Sequence, residues 1–586
     1  MQKIEGWKSL LSKKQLMLHH ILVGIVLYSD PYCSHFTTKS FLKMNRLFSI
    51  IFFCSILCAC QTESNKNELA ELDSTSLSQH LETLSSDLFQ GRKPGTKGEV
   101  LTVNYLALKL KEAGIAPGNG DSYFQEVPLI DITGTPSELM NITTPTGEIS
   151  LRNSKDFVVH TERNQAKISL EESDMVFCGF GIVDDKLDWN DYAGVDMTGK
   201  TAVVLVNDPG FGGEDSTFFK GNTMTYYGRW TYKYEEADRQ GAAGLLMIHE
   251  TASAGYPWFV PQSSWSGSQQ GLDQGGRDND CGIKGWLHFD QARALFKNCG
   301  LDFTEMVKAA RKPGFKPIPL DAQVSVSLEN EYKKVNSKNV IGMIEGETRS
   351  DEYIVYTAHW DHLGIAKAVN NDSIYNGALD NASGTAAVLG IAEAMAKSEV
   401  KPERSVVFLF VTAEEQGLLG SKYYVDNPVF PLDKTVCNLN MDGVNPAGKM
   451  RDLTIVGMGH SDMDGIAEEA AKAQGRYIMN EAEPEKGYFF RSDHFNFAKK
   501  GVPALYAEGS YDHWEKGVEY AKSFRDGYVA ERYHAPSDQY DAEEWNMEGM
   551  VQDGSLYLNI GWDLANSNQW PQWNKSSEFS RPKLAQ

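Results

Sequence analysis

From residue 339 onward, short apolar runs alternate with stretches whose apolar residues recur at helical spacing. The runs cover 340–346, 353–358 and 405–413, and a helix is predicted over 384–397 between the second and third. Strands separated by helices of this length predict an α/β domain, its central sheet mostly parallel and flanked by helices. Upstream, 76–115 reads as amphipathic helix. Leu101, Tyr105 and Leu108 form one row, Val103, Leu106 and Leu110 its neighbour, and Gly114 the stop. Between 158 and 325 the texture changes to short β runs with Gly-, Trp- and Asp-rich turns. Strands are expected at Asp174–Ile182, Lys200–Val206 and Leu245–Ile248, a helix over 231–240, and a long decorated loop over 251–290. The pattern is an α/β domain whose first helices are separated from its sheet by a β-rich insertion.

A chain of 586 residues is too long for one core and predicts several domains. Its net charge of −23 makes nucleic acid a poor partner, because such a surface repels phosphate backbones. The N-terminal 59 residues run against this trend. Met44-Asn45-Arg46 and the apolar stretch after it read as a secretory signal, with Met44 the expected true start. Leu57-Cys58-Ala59-Cys60 resembles a bacterial lipobox, which implies lipidation of Cys60 and a tether beginning at Gln61. The expected protein is therefore exported and held in the cell envelope by lipid, at the outer membrane or periplasm of a Gram-negative bacterium. Four cysteines follow: Cys178, Cys281, Cys299 and Cys437. No C-x-x-C pair exists, so a thiolate metal site is not expected, and export permits a Cys281–Cys299 disulfide.

Three polar clusters directly follow apolar runs: His359, Asp361 and His362; Glu414 and Glu415; and Asp442. In open α/β sheets ligands bind outside the carboxyl ends of the strands, so these clusters should meet on one rim. Asp380 opens the predicted helix 384–397, where a simple helix cap would suffice to explain it, and His534 lies in a weakly periodic segment where a solvated loop histidine is ordinary. Together, however, these residues are the nitrogen and carboxylate ligands that a pair of divalent cations takes, with one carboxylate left to move protons.

The stretches AHWDHLG (358–364), GALDNASG (377–384), TAEEQGLLGS (412–421), NMDGV (440–444), RSDHFNFAKKGVPA (491–504) and YHAPSD (533–538) resemble the M28 family of zinc aminopeptidases, as does the upstream FQGRKPGTKG (89–98). Three further stretches, at 178–182, 189–206 and 237–248, resemble a protease-associated (PA) domain. The resemblance implies a zinc-dependent exopeptidase fold and four parts: an extension, signal peptide and tether at 1–62, the start of the peptidase domain at 63–157, a PA insert at 158–325 and the catalytic domain at 326–586. It implies two zinc ions, one on His359 and Asp442 and the other on Glu415 and His534, with Asp380 bridging and a cis bond after it. Glu414 would be the general base, Asp361 and Asp538 would orient the ligand imidazoles, and Tyr533 would stabilise the oxyanion. His362 and His494 read as structural or pocket-lining, and Gly487–Asp493 as a specificity segment whose Phe489-Phe490 pair could equally be core.

The expected activity is removal of N-terminal residues from peptides that carry a free amine. Carboxypeptidase and glutaminyl cyclase chemistry share the fold; a carboxypeptidase would need a cationic pocket, for which Arg491 and Arg532 are the nearest candidates. A silent binding protein would lack a ligand, and here all are present. No G-x-S-x-G elbow or P-loop occurs, and His249-Glu250 lacks the second histidine of a zincin helix.

Overall fold

The computed structural model describes residues 69–273 and 281–581, so Cys60 and the signal segment lie outside the described residues. The catalytic lobe is built on eight strands in the order 124–136, 318–344, 404–411, 349–359, 435–440, 504–508, 452–455 and 477–479. The four from Arg404–Val411 to Ala504–Glu508 are mutually parallel and form its centre. Arg404–Val411 is buried at every position, as a strand covered on both faces must be. One face is covered by the helices Ser74–Leu84, Lys97–Glu112, Gly384–Ala396 and Met547–Ala565, which share one core with the sheet. Gly384–Ala396 lies so deep that nearly all of it is buried, which explains its uniformly apolar sequence.

The strand Ile318–Ile344 serves both lobes. Its first part pairs with Lys167–Phe177, its middle with Phe124–Pro136, and its end with Arg404–Val411. A two-stranded ribbon thus carries the chain out of the catalytic lobe and back. The inserted lobe has four parallel strands, Lys167–Phe177, Thr201–Leu205, Gly244–His249 and Ile283–His288. Alternate residues feed two cores: Val203, Leu246 and Ile248 on one face, Ala202, Val204, Leu245 and Met247 on the other. Met140, Ile142 and Leu151 also belong to this lobe's core, upstream of the expected border at 158.

Two local expectations are corrected. The segment 251–290 is structured, with helices Thr251–Ala254 and Phe259–Ser264 and strands Ser268–Leu272 and Ile283–His288. The last was hidden by Lys284, which is buried in mid-strand against Glu162 (3.1 Å) and Asp238 (3.0 Å), a tertiary pairing that no local pattern announces. Cys281 and Cys299 are free thiols, as are Cys178 and Cys437, because Cys281 packs into one core of the insert and Cys299 against the other. Among the described residues no helix is long and apolar enough to cross a membrane.

Candidate metal centre

Parallel register brings the clusters together. His359 ends its strand opposite Val411, so Glu414 and Glu415 follow at the same rim; Thr357 lies opposite Asn440, two residues before Asp442. His359 Nε2 lies 3.0 Å from Asp442 Oδ1, 3.2 Å from Asp380 Oδ1 and 3.8 Å from Glu414 Oε2. The other Asp380 oxygen is 3.1 Å from His534 Nε2, which is also 3.0 Å from Glu415 Oε2. Asp380 therefore faces two imidazoles, one with each oxygen, and the peptide bond after it is cis.

Two groups of ligand atoms share Asp380, each within 4.8 Å: His359, Asp380 and Asp442, and His362, Asp380 and Glu415. These are nitrogen and carboxylate oxygen donors, the set suited to zinc, with no thiolate in either group. His362, expected to be structural or pocket-lining, has Nδ1 2.6 Å from Glu415 Oε1, while its buried Nε2 has no hydrogen-bond partner among the described residues. Glu414 belongs to neither group.

The surroundings position these groups. The Asp361 carboxylate accepts from the Glu414 amide at 3.0 Å but stands 3.8 Å from His359 Nδ1, which instead faces the Asp361 carbonyl at 3.2 Å. Asp538 likewise does not orient His534. It accepts from the amides of Leu379 (3.0 Å) and Asp380 (3.2 Å), and so holds the backbone that carries the shared carboxylate. Tyr533 is half exposed and its ring stacks on His534 with centroids 3.9 Å apart.

Charge is concentrated and buried here. Burial opposes a charge on His359, yet Asp442 and Glu414 hold its imidazole well above the usual range. Burial also acts on Asp380, but hydrogen bonds from His359 and His534 outweigh it and keep the carboxyl well below its ordinary range. Burial and Asp380 push Glu415 upward; His534 and His362 prevail and bring it to about 2. Glu414 goes the other way, lifted well above the usual carboxylate range by burial despite His359. Burial lifts Asp361 and Asp493 to about 7 each.

Arg92 is a functional candidate that pattern reasoning missed. It is buried, and burial lowers its guanidinium to about 10 against the pull of Asp361 and Asp538. Nε donates to the Trp360 carbonyl (2.8 Å), Nη1 to Leu84 (2.7 Å) and Asn376 (2.5 Å), and Nη2 to Gly377 (2.8 Å). One side chain thus ties the loop after His359 to the loop before Asp380. The preceding Gly91 has φ 63° and passes so close to Tyr375 that a Cβ would sit 2.4 Å from its carbonyl oxygen. Arg92→Leu leaves four buried carbonyls without their donor and is expected to cost about 4 kcal/mol, read as a lower urea midpoint. An unchanged midpoint would contradict this role.

Phe489 and Phe490 are core, packed with Met224, Phe495 and Phe579. His494 is buried against Phe489, with ring centroids 4.7 Å apart. Arg532 is paired with Glu544 at 3.0 Å, and Arg491 donates to the Lys486 carbonyl at 2.6 Å.

Residues 339–558 match the model of peptidase family M28. Aminopeptidase NAALADL1 of Rattus norvegicus is 35% identical over 138 residues, which cover 22% of this chain and 17% of that protein. A glutamate carboxypeptidase 2 homolog of Caenorhabditis elegans is 23% identical over 390 residues, 58% of this chain and 45% of the relative. Leucine aminopeptidase 2 of Arthroderma otae is 27% identical over 252 residues, 40% and 45% of the two chains. The chain thus spans less than half the length of each of these relatives. Among solved structures, the aminopeptidase from Aneurinibacillus sp. strain AM-1 aligns over 85% of this chain and 96% of its own, at 18% identity and a TM-score of 0.45.

Proposed function

We propose that this chain, whose residues 339–558 match the model of peptidase family M28, is an exported aminopeptidase of that family that holds two zinc ions and removes N-terminal residues from peptides. The observation that carries the reading is Asp380, shared between two ligand groups while Glu414 beside them joins neither. His359 and Asp442 would hold one ion, Glu415 and His534 the other, and Asp380 both. His534 is preferred to His362 as the ligand because its Nε2 is within 3.1 Å of both Asp380 and Glu415. His362 then fixes the second Glu415 oxygen.

Bound zinc would polarise the scissile carbonyl and make water acidic enough to attack at neutral pH. Glu414 takes the proton from the attacking water and returns it to the departing amine. The Tyr533 hydroxyl donates a hydrogen bond to the oxyanion of the tetrahedral intermediate, on the same side of the site as His534. A free α-ammonium group is attracted by the surplus of carboxylates on this rim, which fixes the substrate by its N-terminus.

The inserted lobe is read as a PA domain flanking the cleft. In support, the Met224 amide donates to the Pro484 carbonyl (3.1 Å), and Tyr226 packs on Phe490 and Phe495. Lys499 pairs with Glu235 at 2.6 Å across the same contact. Anchoring through Cys60 completes the picture. Carboxypeptidase action is the weaker reading, since Arg491 and Arg532 are both engaged elsewhere. The test is hydrolysis of leucine p-nitroanilide by the soluble chain, before and after 1,10-phenanthroline and after zinc is returned. Activity should vanish and recover; activity indifferent to the chelator would overturn the metal reading.

A further inference from the structure

We infer that the inserted lobe carries a second binding site, for a small amphipathic carboxylate, at the carboxyl ends of its own four parallel strands. A cavity of about 340 Å³ lies there, within the size range of small-molecule sites. All four strands contribute to it through residues at or just past their ends: Phe180, Leu205, Ile248 and Phe289. This is the position where open α/β sheets place ligands. None of the residues that line it belongs to the metal centre, and the insert's strands pack into cores of their own.

The walls define the ligand. The helix Phe303–Ala310 and the residue after it turn Phe303, Val307 and Arg311 toward the cavity, at four-residue spacing on one helical face. Arg311 is fixed in place: Nη1 donates to the carbonyls of Pro209 (3.1 Å) and Phe211 (2.6 Å), and its guanidinium lies 5.9 Å from the Phe180 ring. Arg293 lies over the Phe289 ring at 5.9 Å, and Lys308, paired with Glu305, adds a third cation. Glu250 also lines the cavity, with its carboxylate accepting from Ser253 Oγ at 2.7 Å. An apolar floor under a preset guanidinium, in a chain of net charge −23, selects an apolar body ending in a carboxylate. A free aryl or alkyl acid and the apolar C-terminal residue of a short peptide share that chemistry.

Calorimetric titration of the zinc-loaded protein separates these cases, with 4-phenylbutyrate, its uncharged amide 4-phenylbutyramide, and N-acetyl-glycyl-phenylalanine as probes. At least one of the two acids is expected to bind, the free acid alone if the cavity excludes a peptide backbone. The amide should bind about tenfold more weakly, as loss of one charge-assisted contact requires. Val307→Trp fills the cavity and should abolish binding while hydrolysis of leucine p-nitroanilide persists. Arg293→Glu, at an exposed position, should weaken acid binding about tenfold and still decides the matter if Val307→Trp fails to fold. No binding by either acid, equal binding of acid and amide, or acid binding that Arg293→Glu leaves unchanged would overturn the proposal.

Discussion

Glu414→Gln is expected to lower kcat by about 10³-fold, in the range seen when a positioned proton-transfer group is lost. Zinc content should not change. The two effects separate because Glu414 lies at the edge of the ligand groups without joining either, 3.8 Å from His359 Nε2. Its backbone is held by Asp361 Oδ1 at 3.0 Å, so an amide of the same shape will sit where the carboxylate sat. Metal analysis and steady-state kinetics on one preparation check both halves. A variant that lost zinc in step with activity would make Glu414 a ligand; one that kept its kcat would remove it from the mechanism.

Asp380→Ala should have the largest effect of any single change at the site, because both ligand groups lose the carboxylate they share. The account predicts zinc falling from about two ions per chain to less than one, with kcat down by 10³-fold or more, on the order of what removal of a shared carboxylate implies. His359 and His534 would each lose a carboxylate partner, now at 3.2 and 3.1 Å. Full zinc occupancy in this variant, measured by plasma mass spectrometry, would refute the bridging role.

Much of this centre was legible in the sequence because parallel strands deliver their next residues to one rim, whatever their separation along the chain. His359, Glu414 and Asp442 could be placed that way. Asp380 and His534 could not, since each has a sufficient bland explanation alone; only the joint ligand set made them candidates. The partner of His362 was not legible, because its Nδ1 contact with Glu415 depends on how the loop after His359 turns, which no spacing reveals. Asp538 was assigned to an imidazole and instead holds the amides of Leu379 and Asp380, a backbone partnership that leaves no trace in residue type. Arg92 escaped for the same reason, as all four of its acceptors are carbonyls. In the fold, the errors fell where tertiary contacts override local pattern: buried Lys284 in mid-strand, and two cysteines close in sequence but on opposite faces of a sheet.

The central claim is that the site reads the amino end of a peptide, and one mass-spectrometric measurement addresses it. A short peptide is offered to the zinc-loaded enzyme in three forms: free at both ends, N-acetylated, and C-amidated. The account predicts stepwise loss of the N-terminal residue from the free and C-amidated forms and an intact N-acetylated peptide. Loss of the C-terminal residue, with the N-acetylated form cut as readily as the free one, would contradict it.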